Sequence, residues 1–283
     1  MTVTGDGGPV SGASVRFLEG GQTAVSATTD ADGVATLDPI EQGTYDVVVS
    51  KGGFYRERLT LGVGAGTERA VSLQRGTVQV TFNVTDDHFE EPRAIRNATI
   101  DVQPLGTSLV TLSDGQVTTT LPVNRDYDLT VSKDGYRTVE RTLPVTQGDI
   151  EYDVSVRRTP SLDVAAANER VVVGETTRVT VTNEYDEPAE GVPLLVEDAE
   201  IVRTDADGEA DVPIESAGTV TIRAVYQGIE SSTTVEGVQT DGTERATATA
   251  TSTDGGIGPG FGVTGAVTAL ATTAALVGLG RRD

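Results

Sequence analysis

The sequence holds no cysteine, no tryptophan, one histidine (His88) and one methionine, and among its 21 bases only Lys51 and Lys133 are lysines. Without cysteine there is no disulfide framework and no thiolate metal site, so each folded unit must be held by its apolar core. A lone histidine, with no cysteine and no serine in an elbow motif beside it, excludes a nucleophilic triad. Aromatic side chains are scarce as well: 5 Phe and 7 Tyr must serve every core, which leaves few for exposed carbohydrate-stacking platforms. Positive charge is short throughout. The formal net charge is -22, and residues 1–236 carry 39 of the 43 acids against 18 of the 21 bases, a net -21. Nucleic acid and anionic lipid are thereby excluded as partners, because counterion release needs clustered Lys or Arg on one face. An acidic, lysine-poor surface suits molar salt, where self-repulsion is screened within about 3 Å.

What the chain does have is β pattern. Val78, Val80, Phe82 and Val84 alternate with Thr77, Gln79, Thr81 and Asn83, the period of a half-buried strand. The stretch around Thr180 and Val181 repeats the theme, and no window before Gly237 holds a convincing helical period.

Internal repetition sets the organisation. Leu37 to Phe54, containing Gly-Thr-Tyr45-Asp-Val-Val-Val-Ser-Lys51, returns as Leu121 to Tyr136, containing Asp-Tyr127-Asp-Leu-Thr-Val-Ser-Lys133, and more weakly as Val212 to Ala224. An Asp-Gly turn precedes each copy, at Gly33, Gly115 and Gly208. Both central positions of such a turn can take positive φ. We therefore expect an all-β chain of three tandem immunoglobulin-like or transthyretin-like β-sandwiches, over 1–75, 76–158 and 159–236. A Thr-rich linker over 237–257 and a C-terminal segment over 258–283 follow. The linker offers almost nothing to bury and reads as a mobile tether, either plain or O-glycosylated.

Gly8-Pro-Val-Ser-Gly-Ala-Ser-Val15, the Asp30-Ala-Asp-Gly33 turn and Gly43-Thr-Tyr-Asp-Val-Val-Val49 resemble the carboxypeptidase regulatory-like domain, a resemblance that implies a non-catalytic sandwich. The second module closes in the same way but opens irregularly at Asp86-Asp-His-Phe-Glu-Glu-Pro92. The third, with Val171-Val-Val-Gly-Glu-Thr-Thr-Arg-Val-Thr-Val181 and Pro188-Ala-Glu-Gly-Val-Pro193, is similar to bacterial Ig-like or invasin-type domains.

Candidate chemistry is sparse. His88 stands among Asp86, Asp87, Glu90 and Glu91, which reads as a solvated acidic loop rather than a cation site. The Asp-x-Asp-Gly turns fail the EF-hand test: with Gly33 sixth, Thr28 is first and Pro39 twelfth, and with Gly208 the ends are Arg203 and Ile214. The Ser50-Lys51 and Ser132-Lys133 pairs read as turn residues at strand ends. We expect no catalysis, no cofactor and no metal. Two Asn-x-Thr sequons, at Asn83 and Asn97, are candidate N-glycosylation sites, each on a strand with its side chain opposite the apolar set.

The tail is the most pointed signal. Phe261 to Gly280 is uncharged, long enough as a helix to cross a hydrocarbon core of about 30 Å, and is followed by Arg281-Arg282, the charge expected on the cytoplasmic side. A soluble buried helix is the alternative. Pro259-Gly260-Phe261-Gly262, the apolar run and the Arg pair resemble the PGF-CTERM sorting signal of archaeal, mostly haloarchaeal, surface proteins. The resemblance implies recognition of Pro259, Gly260 and Phe261 by an archaeosortase, removal of the helix, and a lipid anchor at the outer face of the cell membrane.

The start, Met1-Thr-Val-Thr-Gly-Asp6, lacks the basic and apolar regions of a signal peptide. Met1 also falls where a first strand should already be under way, so we expect the chain to be N-terminally truncated or to begin at an internal Met, with a signal peptide missing. The sequence reading is a glycosylated, surface-anchored structural or adhesive stalk, with the S-layer or surface glycans as possible neighbours. Its alternatives are the non-catalytic part of a secreted hydrolase and a carbohydrate-binding surface protein.

Overall fold

β-Branched side chains are restricted at χ1 and pack well on a pleated surface, and among the described residues of this Thr- and Val-rich chain every regular element is a strand. The structure, a computed structural model, describes residues 1–239. The first module contains β1 (Thr2–Gly5), β2 (Gly8–Pro9), β3 (Ser14–Glu19), β4 (Gln22–Thr28), β5 (Gly43–Ser50), β6 (Glu57–Val63) and β7 (Ala70–Ser72). The second contains β8 (Thr77–Asp86), β9 (Arg93–Ala94), β10 (Thr99–Gln103), β11 (Thr107–Val110), β12 (Gln116–Pro122), β13 (Arg125–Ser132), β14 (Val139–Val145) and β15 (Ile150–Val156). The third contains β16 (Leu162–Ala166), β17 (Arg170–Val172), β18 (Thr176–Asn183), β19 (Pro193–Val196), β20 (Ala199–Arg203), β21 (Glu209–Pro213), β22 (Gly218–Tyr226) and β23 (Ile229–Val238).

Each module packs two sheets. One sheet repeats the same plan, in the orders β4-β3-β5-β6, β11-β10-β13-β14 and, with β17 added at one edge, β17-β23-β22-β19-β20. The facing sheets are β2-β1-β7, β12-β8-β15 and β16-β18-β21. In β8 the sequence alternation becomes burial: Val78, Val80, Phe82 and Val84 are buried while their neighbours turn outward. Three separate apolar cores result. They centre on Val15, Val47 and Leu73, on Phe82, Ile100 and Tyr127, and on Val181, Leu194 and Ile222. Each such side chain contributes about 1.5–3 kcal/mol relative to exposure.

The strand reading of two places needs correction. β23 runs through Val238, two residues into the stretch read as linker, because Gly237 and Val238 pair parallel with Val171 and Val172. Asn97 is not on a strand: it sits at φ 55° in the turn that delivers Ala98 to the core. Asparagine tolerates that left-handed geometry better than most residues. Among the described residues no helix is long and apolar enough to cross a membrane. The span expected at Phe261 to Gly280 lies outside the described residues, as does nearly all of the Thr-rich stretch.

Candidate functional site

A common hydrogen-bonded frame joins the turn glycine to the middle strand of the facing sheet, β1, β8 or β18, in all three modules. Gly33, Gly115 and Gly208 take φ values of 74°, 76° and 73°. Their carbonyls accept from Val3, Val84 and Val181 at 2.7, 2.9 and 2.8 Å. A buried threonine four residues before each glycine completes the frame. Thr29 Oγ1 donates to the Val10 carbonyl at 2.6 Å and accepts from the Ala13 N–H at 2.8 Å. Thr111 does the same with Ile95 and Ala98, and Thr204 with Ala189 and Val192. This threonine was missed in the sequence, although its fixed spacing to the turn glycine was there to be read.

The turn carboxylates are committed to backbone. Asp30 Oδ1 accepts from the N–H groups of Asp32 and Val34, and Asp205 Oδ1 from those of Asp207 and Glu209. Asp114 Oδ1 accepts from Gln116 N–H at 3.0 Å. The two lysines are equivalent: Lys51 Nζ donates to the Gly12 carbonyl at 3.2 Å and Lys133 Nζ to the Arg96 carbonyl at 2.9 Å. Each ties the end of its strand to the loop that begins the neighbouring strand. Tyr45 and Tyr127 likewise donate to the carbonyls of Glu41 and Pro122, close upstream in sequence. Burial first of all raises both phenol pKa values.

The acidic loop that opens the second module is where the singled-out residues gather, and they do so against the third module. Asp86 is 1% exposed, so the expectation of a solvated loop fails at this residue. Its Oδ1 accepts from His88 N–H at 3.0 Å and from the Tyr185 hydroxyl at 3.1 Å, while Oδ2 is buried without a partner. The His88 ring stacks on Tyr185 with centroids 3.6 Å apart and planes 7° from parallel, and Phe89 meets both rings edge-on. His88 Nε2 lies 3.0 Å from Glu187 Oε1. The His88 hydrogen bond, then that from Asn183, holds the Glu187 carboxyl below its ordinary pKa.

Basic residues close the other side of this joint. Arg158 N–H donates to the Tyr185 hydroxyl at 2.9 Å and its guanidinium to the Glu184 carbonyl at 2.6 Å. Arg157 pairs with Asp87 at 2.6 Å, which raises the guanidinium pKa. Burial is the main cause that pushes the Tyr185 phenol up. The first and second modules meet through one backbone pair and one side chain: Gly53 N–H donates to the Val123 carbonyl at 2.7 Å and the Asn124 side-chain Nδ2 to the Phe54 carbonyl at 2.7 Å. Among the described residues no group of three or more His, Cys, Asp or Glu is placed to hold a metal ion. The arrangement at His88 is that of a structural joint.

Of the sequon residues, Asn83 stands mid-strand on β8, half-buried, with Nδ2 donating to Asp153 Oδ1 at 3.1 Å. Asn97 is exposed in its turn. Pro259, Gly260, Phe261, Arg281 and Arg282 lie outside the described residues.

Residues 2–85 match the carboxypeptidase regulatory-like domain. The match covers less than a third of the chain and runs past the first module into β8. No curated protein matches the chain. Among solved structures, the Bacillus anthracis TIE protein is 17% identical over 84% of this chain, with a TM-score of 0.36; the chain spans about half of that protein's length, 48%. The minor pilin of Streptococcus agalactiae is 13% identical, over 55% of this chain and 87% of the pilin, with a TM-score of 0.27. A structure titled a putative carbohydrate binding protein from Bacteroides uniformis is 12% identical, over 56% of this chain and 98% of its own, with a TM-score of 0.26.

Proposed function

We propose that the protein is a non-catalytic structural or adhesive stalk on the surface of a halophilic archaeon. Its β-sandwich modules stand at the outer face of the membrane, and its C-terminus is the anchor. In this reading an archaeosortase recognises Pro259-Gly260-Phe261, Arg281 and Arg282 hold the tail inside until it is cut, and a lipid takes over the anchoring. Asn83 and Asn97 carry N-glycans, and the S-layer or surface glycans are the neighbours.

The observation that supports the stalk most directly is the use made of the polar side chains. His88, Asp86, Tyr185 and Arg158 bind one module to the next, and the lysines and turn aspartates hold backbone within modules. A load-transmitting chain needs rigid joints, because flexible ones would let the modules reorient independently. The acidic surface fits a high-salt exterior. Protease treatment of intact cells tests the location: fragments from residues 1–239 should be released while a cytoplasmic marker stays protected. Fragments that appear only after lysis would overturn it.

A further inference from the structure

A chain with 43 acids and 21 bases gathers three of those bases at one cleft. Lys51, Arg56 and Arg125 line a cavity of about 520 Å³ between the first and second modules, and among the described residues Asp126 is the one acid on its wall. That volume falls within the about 300–1,000 Å³ of ligand sites. The bonds that Gly53 and Asn124 make across the joint shape it. A Cβ on Gly52 would stand 3.4 Å from the Asn124 carbonyl oxygen and 3.8 Å from Arg125 Cβ, so the loop after Lys51 lies against the start of β13. Lys51 spends one of its three donors on the Gly12 carbonyl. Among the described residues no carboxylate forms an ion pair with Lys51, Arg56 or Arg125.

The fold does not require these charges. Phe54 and Tyr136 donate their N–H groups to the Lys51 and Lys133 carbonyls at 3.1 and 3.0 Å, which sets the two loops in register. Asp134 then stands where Gly52 does, and Thr138 where Arg56 does. The equivalent strands β5, β13 and β22 begin at Gly43, Arg125 and Gly218, so the arginine is particular to the second module.

We propose that this cleft binds an anionic sugar, a hexose unit that carries a single carboxylate or sulfate ester. Guanidinium forks meet such oxyanions with parallel N–H bonds, and Lys51 adds a point charge. Ser14 and Ser50, which are cross-strand partners, and Thr146 line the same cleft and offer hydroxyls to the ring. Asp126 accepts from sugar hydroxyls and repels a second negative group, which, with the net charge of -22, turns away polyanions. Among the described residues no aromatic ring lines the cleft, so charge rather than stacking supplies the affinity. The proposal rests on the reading that surface glycans are the neighbours and names their chemical class.

Ligand-observed NMR tests it on the full 283-residue chain in about 1 M KCl, where charges are screened beyond about 3 Å and only direct contacts bind. Glucuronic acid or glucose 6-sulfate should bind about tenfold or more tighter than glucose, and the one that does identifies the oxyanion. Arg56→Gln and Arg125→Gln should each weaken that binding about tenfold with melting unchanged, because both side chains are exposed. Arg16→Gln, an equal change of charge on the exposed face of β3, should not weaken it. Gly52→Asp, which copies Asp134 and meets only ordinary van der Waals contacts, should abolish binding with every cation in place. Equal binding of glucose and both acidic sugars, or equal losses from Arg16→Gln and Arg125→Gln, would overturn the site. Inorganic sulfate or N-acetylaspartate binding as tightly as the acidic sugar would also overturn it, since the sugar would then contribute nothing. Binding is read on purified chain, so failure here leaves the protease test of surface location standing.

Discussion

Gly208 and Asp207, adjacent in one turn, should respond very differently to substitution. A Cβ on Gly208 would stand 2.6 Å from the Val181 carbonyl oxygen and 3.0 Å from the Ala189 nitrogen, at a φ of 73°. Gly208→Val should therefore lower stability by about 1–3 kcal/mol from backbone strain, with the clash adding to it. The Asp207 side chain makes no hydrogen bond, so Asp207→Asn should melt like the parent with or without calcium; a calcium-dependent melt abolished by that change would contradict the structural role. Two buried threonines provide a second contrast. Thr111→Val removes a hydroxyl that both donates and accepts, stranding the Ile95 carbonyl and the Ala98 N–H at a cost of about 1–3 kcal/mol. Thr177 Oγ1 is buried with no partner, so Thr177→Val should be neutral or stabilising. Denaturant midpoints of the two variants measure the difference. At this scale the Asp-Gly turns were legible because dihedral need and residue type are local. The buried threonines were legible only as a spacing, since Val10 and Ala13 lie far upstream of Thr29.

At the scale of elements, the joint between the second and third modules is the place where sequence reading stopped. Asp86 and Tyr185 are 99 positions apart, and nothing in Asp86-Asp-His-Phe-Glu-Glu-Pro92 says that another module covers it. The loop read as solvated because acidic runs usually are. Its irregular opening was visible, and the structure gives the reason: the Ile95 N–H returns to the Val84 carbonyl after a longer excursion than Val10 makes to Val3, and the added residues reach Tyr185. Tyr185→Phe removes the hydroxyl shared by Asp86 and Arg158 and leaves a buried carboxylate with less satisfaction, a loss of about 1–3 kcal/mol. Calorimetry should show the second and third modules melting less cooperatively in that variant. Acid acts on the same joint through Glu187. Its folded pKa is depressed, so its contribution is present above the ordinary Glu value near 4.3 and is lost as pH falls through the lower folded value. In Glu187→Gln that acid-side loss should disappear from the pH dependence of the joint's hydrogen exchange.

At the scale of the whole molecule, alternation and turns made the all-β architecture of residues 1–239 legible, whereas the way modules bind one another depends on contacts across the fold. Charge also acts at this scale. With 43 acids against 21 bases, folding should fail as salt falls, and circular dichroism of the chain should lose its β signal well above physiological ionic strength. A cooperative fold in about 0.1 M KCl would contradict the halophilic reading. The central claim is that this is a surface stalk whose sorting tail is exchanged for a lipid, and the intact mass of the protein extracted from its native membranes tests it most directly. The account predicts a chain that ends near Phe261 and carries additional lipid mass, with full-length unprocessed chain accumulating when Pro259, Gly260 and Phe261 are replaced by alanine. A mature wild-type chain that retains Val263 to Asp283 would contradict it.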